Sequence, residues 1–256
     1  MPDPQTASAI FFAPVAAAYL AACAGWLAFA RWQPRLADEA ALPNSDRRRL
    51  DAALTLLAAA MILTLGWVYR LGWLLPTGAS GMGRLGWFVD NLIIYSPIAL
   101  VLYARRQGTE TIFLTTRNLA MKIVLGLVLG AASVGVYSLL RGEAAQIVPS
   151  LSSVLEPSHL TNFLPVFLEG LAVAFGFVRL RWLLGMVGAL SLPALLFAAA
   201  HIPGQVADHH SLFTIVAFFA FNSALTVAIL WTVQRSRDIV WIGMVHYLMD
   251  IAIKAI

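Results

Sequence analysis

Eight apolar segments constrain the fold more than any other feature of this sequence, because each is long enough to cross a membrane. They lie at residues 8–30, 52–75, 87–104, 119–140, 161–178, 183–203, 211–233 and 238–255. A helix rises about 1.5 Å per residue, and a hydrocarbon core is about 30 Å thick. The segments therefore predict an all-α, polytopic membrane protein with about eight transmembrane helices in one bundle.

Composition supports this class of protein. The chain is 60% hydrophobic and 12% charged, whereas a soluble domain is about half apolar and about one quarter charged. The net charge of +4 arises mainly from arginines in short loops, where membrane topology accounts for them. We therefore expect the lipid bilayer as a partner and no nucleic acid.

The distribution of Lys and Arg predicts how the chain is oriented. Of the 17 Lys and Arg residues, 13 fall in the first, third, fifth and seventh loops, and 4 fall on the other side. Under the positive-inside rule the odd loops are cytoplasmic, and both termini are then extracytoplasmic. The Ala-rich chain has no eukaryotic targeting signal, which favours an integral protein of a bacterial inner membrane.

Ionisable side chains inside the apolar segments are the next informative feature. A charge at mid-bilayer costs about 3 kcal/mol on insertion scales, so such residues face the interior of a bundle. The last four segments contain Glu169, His201, His246 and Asp250, together with Asn222. We therefore predict that residues 1–160 are N-terminal scaffold helices and that residues 161–256 carry the function.

Glu169 lies in "LPVFLEGLAVAFGFV", with no basic residue nearby in sequence. Burial of an unpaired carboxyl raises its pKa, and a carboxyl that titrates near neutrality suits general-base chemistry. The alternative is a carboxyl that only hydrogen-bonds a neighbouring helix.

His246 and Asp250 are four residues apart, so they share one face of a helix. An aspartate at this spacing is able to accept a hydrogen bond from the imidazole and to fix its tautomer. The alternative is a structural pair that holds two helices together.

His201 ends the run "LPALLFAAAH", in which Phe197 lies one turn earlier. The three alanines between them allow close helix approach. The alternative is a histidine that anchors the helix end at the membrane interface. Asn222 either packs between helices or supports a catalytic group.

Two motifs carry a resemblance to a known family. "FAAAH" fits F-x-x-x-H, "HYLMD" fits H-x-x-x-N/D, and a Glu-bearing segment precedes both, about 32 residues before His201. In this order they resemble the CPBP family of intramembrane proteases, which includes CAAX prenyl endopeptidases and bacteriocin-processing or immunity proteins. The resemblance covers roughly residues 161–255 and implies a metal-independent, glutamate-dependent endopeptidase.

The first family motif is incomplete in this chain. The family pattern is E-E-x-x-x-R, but "LEGLAVAFG" has one Glu and no Arg at the matching distance. If Glu169 corresponds to the first Glu, the general base is retained. If it corresponds to the second, Leu168 occupies the base position and the protein is inactive. We favour the first alignment, because a glutamate without a role is costly in a membrane.

The resemblance implies a mechanism for these residues. Glu169 and His201 would activate a water molecule that attacks a peptide carbonyl. His246, held by Asp250, would stabilise the oxyanion or donate a proton, and Phe197 would support the site. A variant of this scheme binds Zn²⁺ through Glu169, His201 and His246, although no cofactor is expected.

The expected substrate is a membrane-associated peptide, such as a prenylated tail or a sorting tail, with a cleavage site close to the membrane. Two other functions remain open at this point. The degenerate first motif is compatible with a catalytically inactive immunity or scaffold protein of the same family. The ionisable residues are compatible with a proton-coupled transporter, although the chain lacks the internal repeat of many transporters.

The predicted orientation is testable at the segment that follows His201. "IPGQVADHHS" contains no Lys or Arg and is predicted to be an extracytoplasmic loop. A cysteine placed at Gln205, with Cys23→Ser to remove the native thiol, should react with a membrane-impermeant reagent in intact cells. Labelling only after permeabilisation of the inner membrane would place this segment in the cytoplasm.

Overall fold

The computed structural model describes residues 4–33, 47–74, 83–154 and 156–255. The regular structure in this part of the chain is helical, without strands, so the all-α prediction is confirmed. The helices are α1 (Pro4–Trp32), α2 (Arg48–Arg70), α3 (Gly83–Ala104), α4 (Leu119–Leu140), α5 (Ile147–Ser153), α6 (Pro157–Leu160), α7 (Phe163–Ala207), α8 (Leu212–Ser236) and α9 (Val240–Ala255). Short 3₁₀ helices follow α3 at Thr109–Ile112 and α4 at Ala144–Gln146.

Six of the described helices are long and apolar enough to cross a membrane, namely α1 to α4, α7 and α8. α7 has 45 residues, which at about 1.5 Å per residue is roughly twice the thickness of a hydrocarbon core. It therefore contains both the fifth and the sixth predicted segments. α9 has 16 residues and corresponds to the eighth. These helices indicate a membrane protein.

The boundary between the fifth and sixth segments differs from the prediction. The sequence predicts a break at residues 179–182, but this stretch is helical, and the interruption lies at Gly185. Gly185 has φ 67° and ψ −174°, a backbone conformation essentially restricted to glycine. Residue 75, the predicted end of the second segment, lies outside the described residues.

The described chain forms two compact units that do not follow sequence order. The first unit comprises the described residues of 1–39, 114–170 and 225–256, and the second those of 40–113 and 171–224. The beginning of α7 and the end of α8 belong to the first unit, and the rest of both helices belongs to the second. The functional division predicted at residue 160 stays a prediction.

In the first unit, α4 packs very closely on α9. A Cβ atom added to Gly126 would lie 2.6 Å from the Trp241 carbonyl oxygen and 2.7 Å from Met244 Cβ. One turn later, a Cβ on Gly130 would lie 3.3 Å from Val245 Cα. Glycine at these positions therefore lets the two helix backbones approach each other, as small residues do in membrane helix pairs.

The helix α1 packs on the same α4. The Ser133 hydroxyl lies 2.9 Å from the carbonyl oxygens of both Ala18 and Leu129, which share its one proton in a bifurcated hydrogen bond. Trp26 stacks on Trp241, with ring centroids 5.8 Å apart. α1, α4 and α9 therefore form the core of the first unit.

A buried ion pair joins the first turn of α4 to Asp238, two residues before α9. Lys122 Nζ lies 2.7 Å from an Asp238 carboxylate oxygen, and both side chains are almost fully buried. Lys122 Nζ also donates to Thr115 Oγ1 at 2.6 Å, and Asp238 accepts from the Val240 backbone N–H at 2.8 Å. These extra hydrogen bonds offset part of the cost of desolvating the two charges.

In the second unit, an ion pair joins α2 to the end of α3, between Asp51 and Arg105. The Phe113 and Phe177 rings lie 6.1 Å apart and connect the segment after α3 to α7. The side chain of Asp51 is buried, whereas that of Arg105 is partly exposed.

The close approach at Gly126 generates a test of the fold. Gly126→Ala should lower the free energy of unfolding by about 1–3 kcal/mol, because the new methyl group meets backbone atoms that cannot move independently. Gly135→Ala is the matched control on the same helix, since an added Cβ there meets no atom within 4 Å. Thermal or denaturant unfolding in detergent would measure both variants, and equal stability would contradict the described packing.

Candidate functional site

Three of the four predicted catalytic residues lie around one buried tyrosine in the first unit. Tyr19 of α1 is 7% exposed, and the carboxyl groups of Asp250 and Glu169 both act electrostatically on it. The His246 ring meets the Tyr19 ring edge-on, with centroids 6.1 Å apart. We refer to Tyr19, Glu169, His246 and Asp250 as the Tyr19 cluster.

Helix packing positions Tyr19 and His246. The Ser133 hydrogen bond to the Ala18 carbonyl fixes α1 immediately before Tyr19. The close contact of Gly130 with Val245 fixes α9 immediately before His246. Two small residues of α4 therefore hold the rings of the cluster: Ser133 acts beside Tyr19, and Gly130 acts beside His246.

Aromatic contacts position Glu169. The Phe163 ring packs edge-on against Tyr247, with centroids 5.5 Å apart. A Cβ added to Gly243 would lie 2.7 Å from the Phe167 ring. These contacts fix the first turns of α7 against α9, and Glu169, which is partly buried, follows Phe167 by two residues.

Asp250 has a described partner that the sequence analysis did not assign. Its carboxylate accepts a hydrogen bond of 2.7 Å from Lys254 Nζ, one helical turn later. The lysine side chain is 60% exposed and the aspartate side chain 24% exposed, so the pair lies at a partly exposed end of α9. The spacing of four residues in "DIAIK" was a signal for this contact. The predicted hydrogen bond between Asp250 and His246 stays a prediction.

His201 and Phe197 lie in the second unit, on α7. His201 Nδ1 is 2.9 Å from the Phe197 carbonyl oxygen. A carbonyl only accepts, so Nδ1 carries the proton, and Nε2 of the neutral ring keeps its lone pair. The ring packs against Phe197 at 4.8 Å and Phe218 at 6.1 Å between centroids. His201 is therefore oriented as a base or acceptor through Nε2.

Asn222 lies in the second unit on α8 and is partly buried. It is separated by four residues from Phe218, the ring that packs against His201, so both share a helix face. The predicted convergence of Glu169, His201 and His246 on one cavity stays a prediction, as does a supporting role for Asn222.

The zinc variant finds no support in the described part of the chain. Within that part, no group of three or more His, Cys, Asp and Glu side chains is placed to hold a metal ion. Zinc binding by Glu169, His201 and His246 stays a variant predicted from the sequence.

Tyr19 is the residue of the cluster that sequence reasoning missed. It lies in "AAAYLAACAG", where one tyrosine among small residues is equally typical of ordinary helix packing. Its place in the cluster comes from its ring contact with His246 of α9 and from the electrostatic influence of Glu169 of α7. Both residues are distant in sequence, so no local pattern identifies Tyr19.

The His201 geometry predicts a tautomer. At alkaline pH, where the imidazole is neutral, His201 should carry its proton on Nδ1, because the Phe197 carbonyl only accepts. Nitrogen-15 NMR of histidine-labelled protein in nanodiscs would detect it, with His201→Gln to assign the signal and the exposed His210 as an internal comparison. A His201 signal of the Nε2-protonated form would contradict the described hydrogen bond.

Comparisons with protein-family models, with curated proteins and with solved structures found no match to this chain. Membership of the CPBP family therefore stays a prediction from the motifs that contain Phe197, His201, His246 and Asp250. The helices themselves establish an all-α protein with segments suited to a membrane.

Proposed function

We propose that this protein is an intramembrane endopeptidase of the CPBP type, which cleaves a membrane-associated peptide with an activated water molecule. The observation that carries the proposal is the Tyr19 cluster, in which one buried phenol of the first unit contacts an imidazole and is influenced electrostatically by two carboxyl groups. Ionisable groups are costly within a membrane and usually mark a functional site.

The proposed reaction starts with general-base catalysis. Glu169, assisted by His201 through Nε2, removes a proton from water as the oxygen attacks the peptide carbonyl. The carbonyl becomes a tetrahedral oxyanion, and His246 stabilises it by hydrogen bonding. When the C–N bond breaks, the protonated glutamate returns its proton to the leaving amine.

Asp250 and Tyr19 have positioning roles in this proposal. Asp250 orients His246 from one turn away on α9, and its own carboxylate is held by Lys254 at 2.7 Å. The Tyr19 ring packs edge-on against His246. These contacts would limit the motion of the imidazole during the reaction.

The proposed substrate is a prenylated tail, a leader peptide or a sorting tail that brings its cleavage site to the membrane. The charge distribution predicts that the segment after His201 is extracytoplasmic, which favours an exported peptide over a cytosolic prenylated tail. The proposed location is a bacterial inner membrane, with cytoplasmic odd loops and extracytoplasmic termini.

An inactive immunity or scaffold protein is the second candidate. The observation that favours it is Gly170, which follows Glu169 where the family motif has a second glutamate. A proton-coupled transporter would also use carboxyl, imidazole and phenol groups inside a bundle. Only the endopeptidase predicts new peptide termini.

The proposal predicts a large effect of Glu169→Gln. Loss of a general base should reduce the cleavage rate by about 10²–10⁴-fold, while the shape of the side chain is retained. The assay uses the full chain in proteoliposomes with two membrane-anchored reporter peptides, one with a prenylated tail and one with an exported leader, and mass spectrometry of the products. Glu156→Gln, at an exposed position of the first unit, is the matched control.

Variants of Asp250 separate positioning from simple packing. Asp250→Asn should retain most activity, because an amide oxygen also accepts from the imidazole, whereas Asp250→Leu should lose it. Equal activity of these two variants would contradict a positioning role. Cleavage by Glu169→Gln at the wild-type rate would contradict the endopeptidase mechanism.

A further inference from the structure

Arg179 is a buried cation whose hydrogen-bonding capacity is largely unused. It lies on α7 in the second unit and is 2% exposed. Its Nη2 donates to Gln107 Oε1 at 2.7 Å and approaches Thr111 Oγ1 at 3.4 Å. Among the described residues, its Nε and Nη1 have no hydrogen-bond partner. Three of the five guanidinium N–H groups are therefore unsatisfied.

The charges around Arg179 do not balance. Asp51 and Arg105 both act electrostatically on it, and the Asp51 carboxylate is paired with Arg105. The three groups together carry a net charge of +1. An unpaired buried guanidinium costs several kcal/mol of desolvation, which an anion at the free N–H groups would offset.

One face of the guanidinium is covered by an aromatic ring, and its N–H donors lie along the edges of the plane. Arg179 Cζ lies 4.3 Å from the centroid of the Phe175 ring, in a cation–π contact. An acceptor therefore has to approach in the guanidinium plane, as carboxylate and phosphate oxygens do. Gln107 and Arg105 beside it are only partly buried, so Arg179 has partly exposed neighbours within the second unit.

The segments next to Arg179 are strongly basic. Residues 47–51, 105–110 and 179–181 contain seven arginines and two acidic residues, which gives a net charge of 7 − 2 = +5. The positive-inside rule places all three segments on the cytoplasmic side. A basic cluster at this level of a membrane protein attracts anionic headgroups and phosphate.

We propose that Arg179 forms the centre of an oxyanion site that binds a phosphate group, supplied either by an anionic lipid headgroup or by free inorganic phosphate. Arginine suits this ligand because its planar fork matches phosphate oxygens. Gln107 and Thr111 hold Nη2 and thereby orient the remaining N–H groups. Arg105 neutralises Asp51, which would otherwise repel the anion.

The test uses the full-length protein in a phosphate-free neutral detergent. One arm measures thermal stabilisation by inorganic phosphate, with chloride at equal ionic strength as the reference. The other arm adds phosphatidylglycerol or zwitterionic phosphatidylcholine and counts the retained lipids by native mass spectrometry. Arg179→Gln should weaken the response by at least about tenfold, as expected for the loss of a charged hydrogen-bond donor. Arg70→Gln, at an exposed position of the same unit and outside the three basic segments, should respond as wild type.

The two arms identify the source of the phosphate. A response to phosphatidylglycerol alone indicates a lipid headgroup, and a response to inorganic phosphate alone indicates the free ion, provided that Arg179→Gln abolishes it. If Arg179→Gln does not fold, Arg179→Lys decides, because it keeps the charge but loses the planar fork and should bind more weakly. Three results would overturn the proposal. The protein gives no response in either arm, its response equals that with chloride or phosphatidylcholine, or the wild type and the Arg179 variant respond equally.

Discussion

α4 and α9 approach each other so closely that a single methyl group on Gly126 would lie 2.6 Å from the Trp241 carbonyl oxygen. Lipid provides little hydrophobic driving force between membrane helices, so tight contacts of this kind hold them together. Gly130, one turn later, repeats the contact beside His246. Ser133 on the same helix then binds the α1 backbone immediately before Tyr19. The candidate site therefore depends on a short stretch of small residues on α4.

The buried charges of the two units are satisfied to different degrees. Lys122 and Asp238 form a close pair with additional hydrogen bonds from Thr115 and from the backbone. Such a pair contributes little net stability, but loss of one partner would leave a costly isolated charge. Arg179 is in the opposite situation, because two of its nitrogens have no partner within the described chain. A structural role is therefore the simpler explanation for the Lys122–Asp238 pair. A bound ligand is the simpler explanation for Arg179.

The Tyr19 cluster lies in the first unit, and His201 lies in the second unit. The cluster offers two carboxyl groups and an imidazole beside a phenol, and His201 offers an imidazole nitrogen freed by the Phe197 carbonyl. A base and a hydrogen-bond donor are the groups that peptide hydrolysis requires. The same groups would serve proton transfer, so formation of new peptide termini is the decisive observation for the proposed function.

The sequence by itself determined the helical class, the membrane character and the residues worth testing, because the length and polarity of each segment are local properties of the chain. Spacing of four residues also indicated that His246 and Asp250 share a helix face. The role of Tyr19, the position of the break at Gly185 and the unsatisfied state of Arg179 came only from the tertiary structure. The role of Tyr19 and the state of Arg179 depend on contacts between segments that are distant in sequence. The break at Gly185 depends on a backbone conformation that glycine allows but does not always adopt.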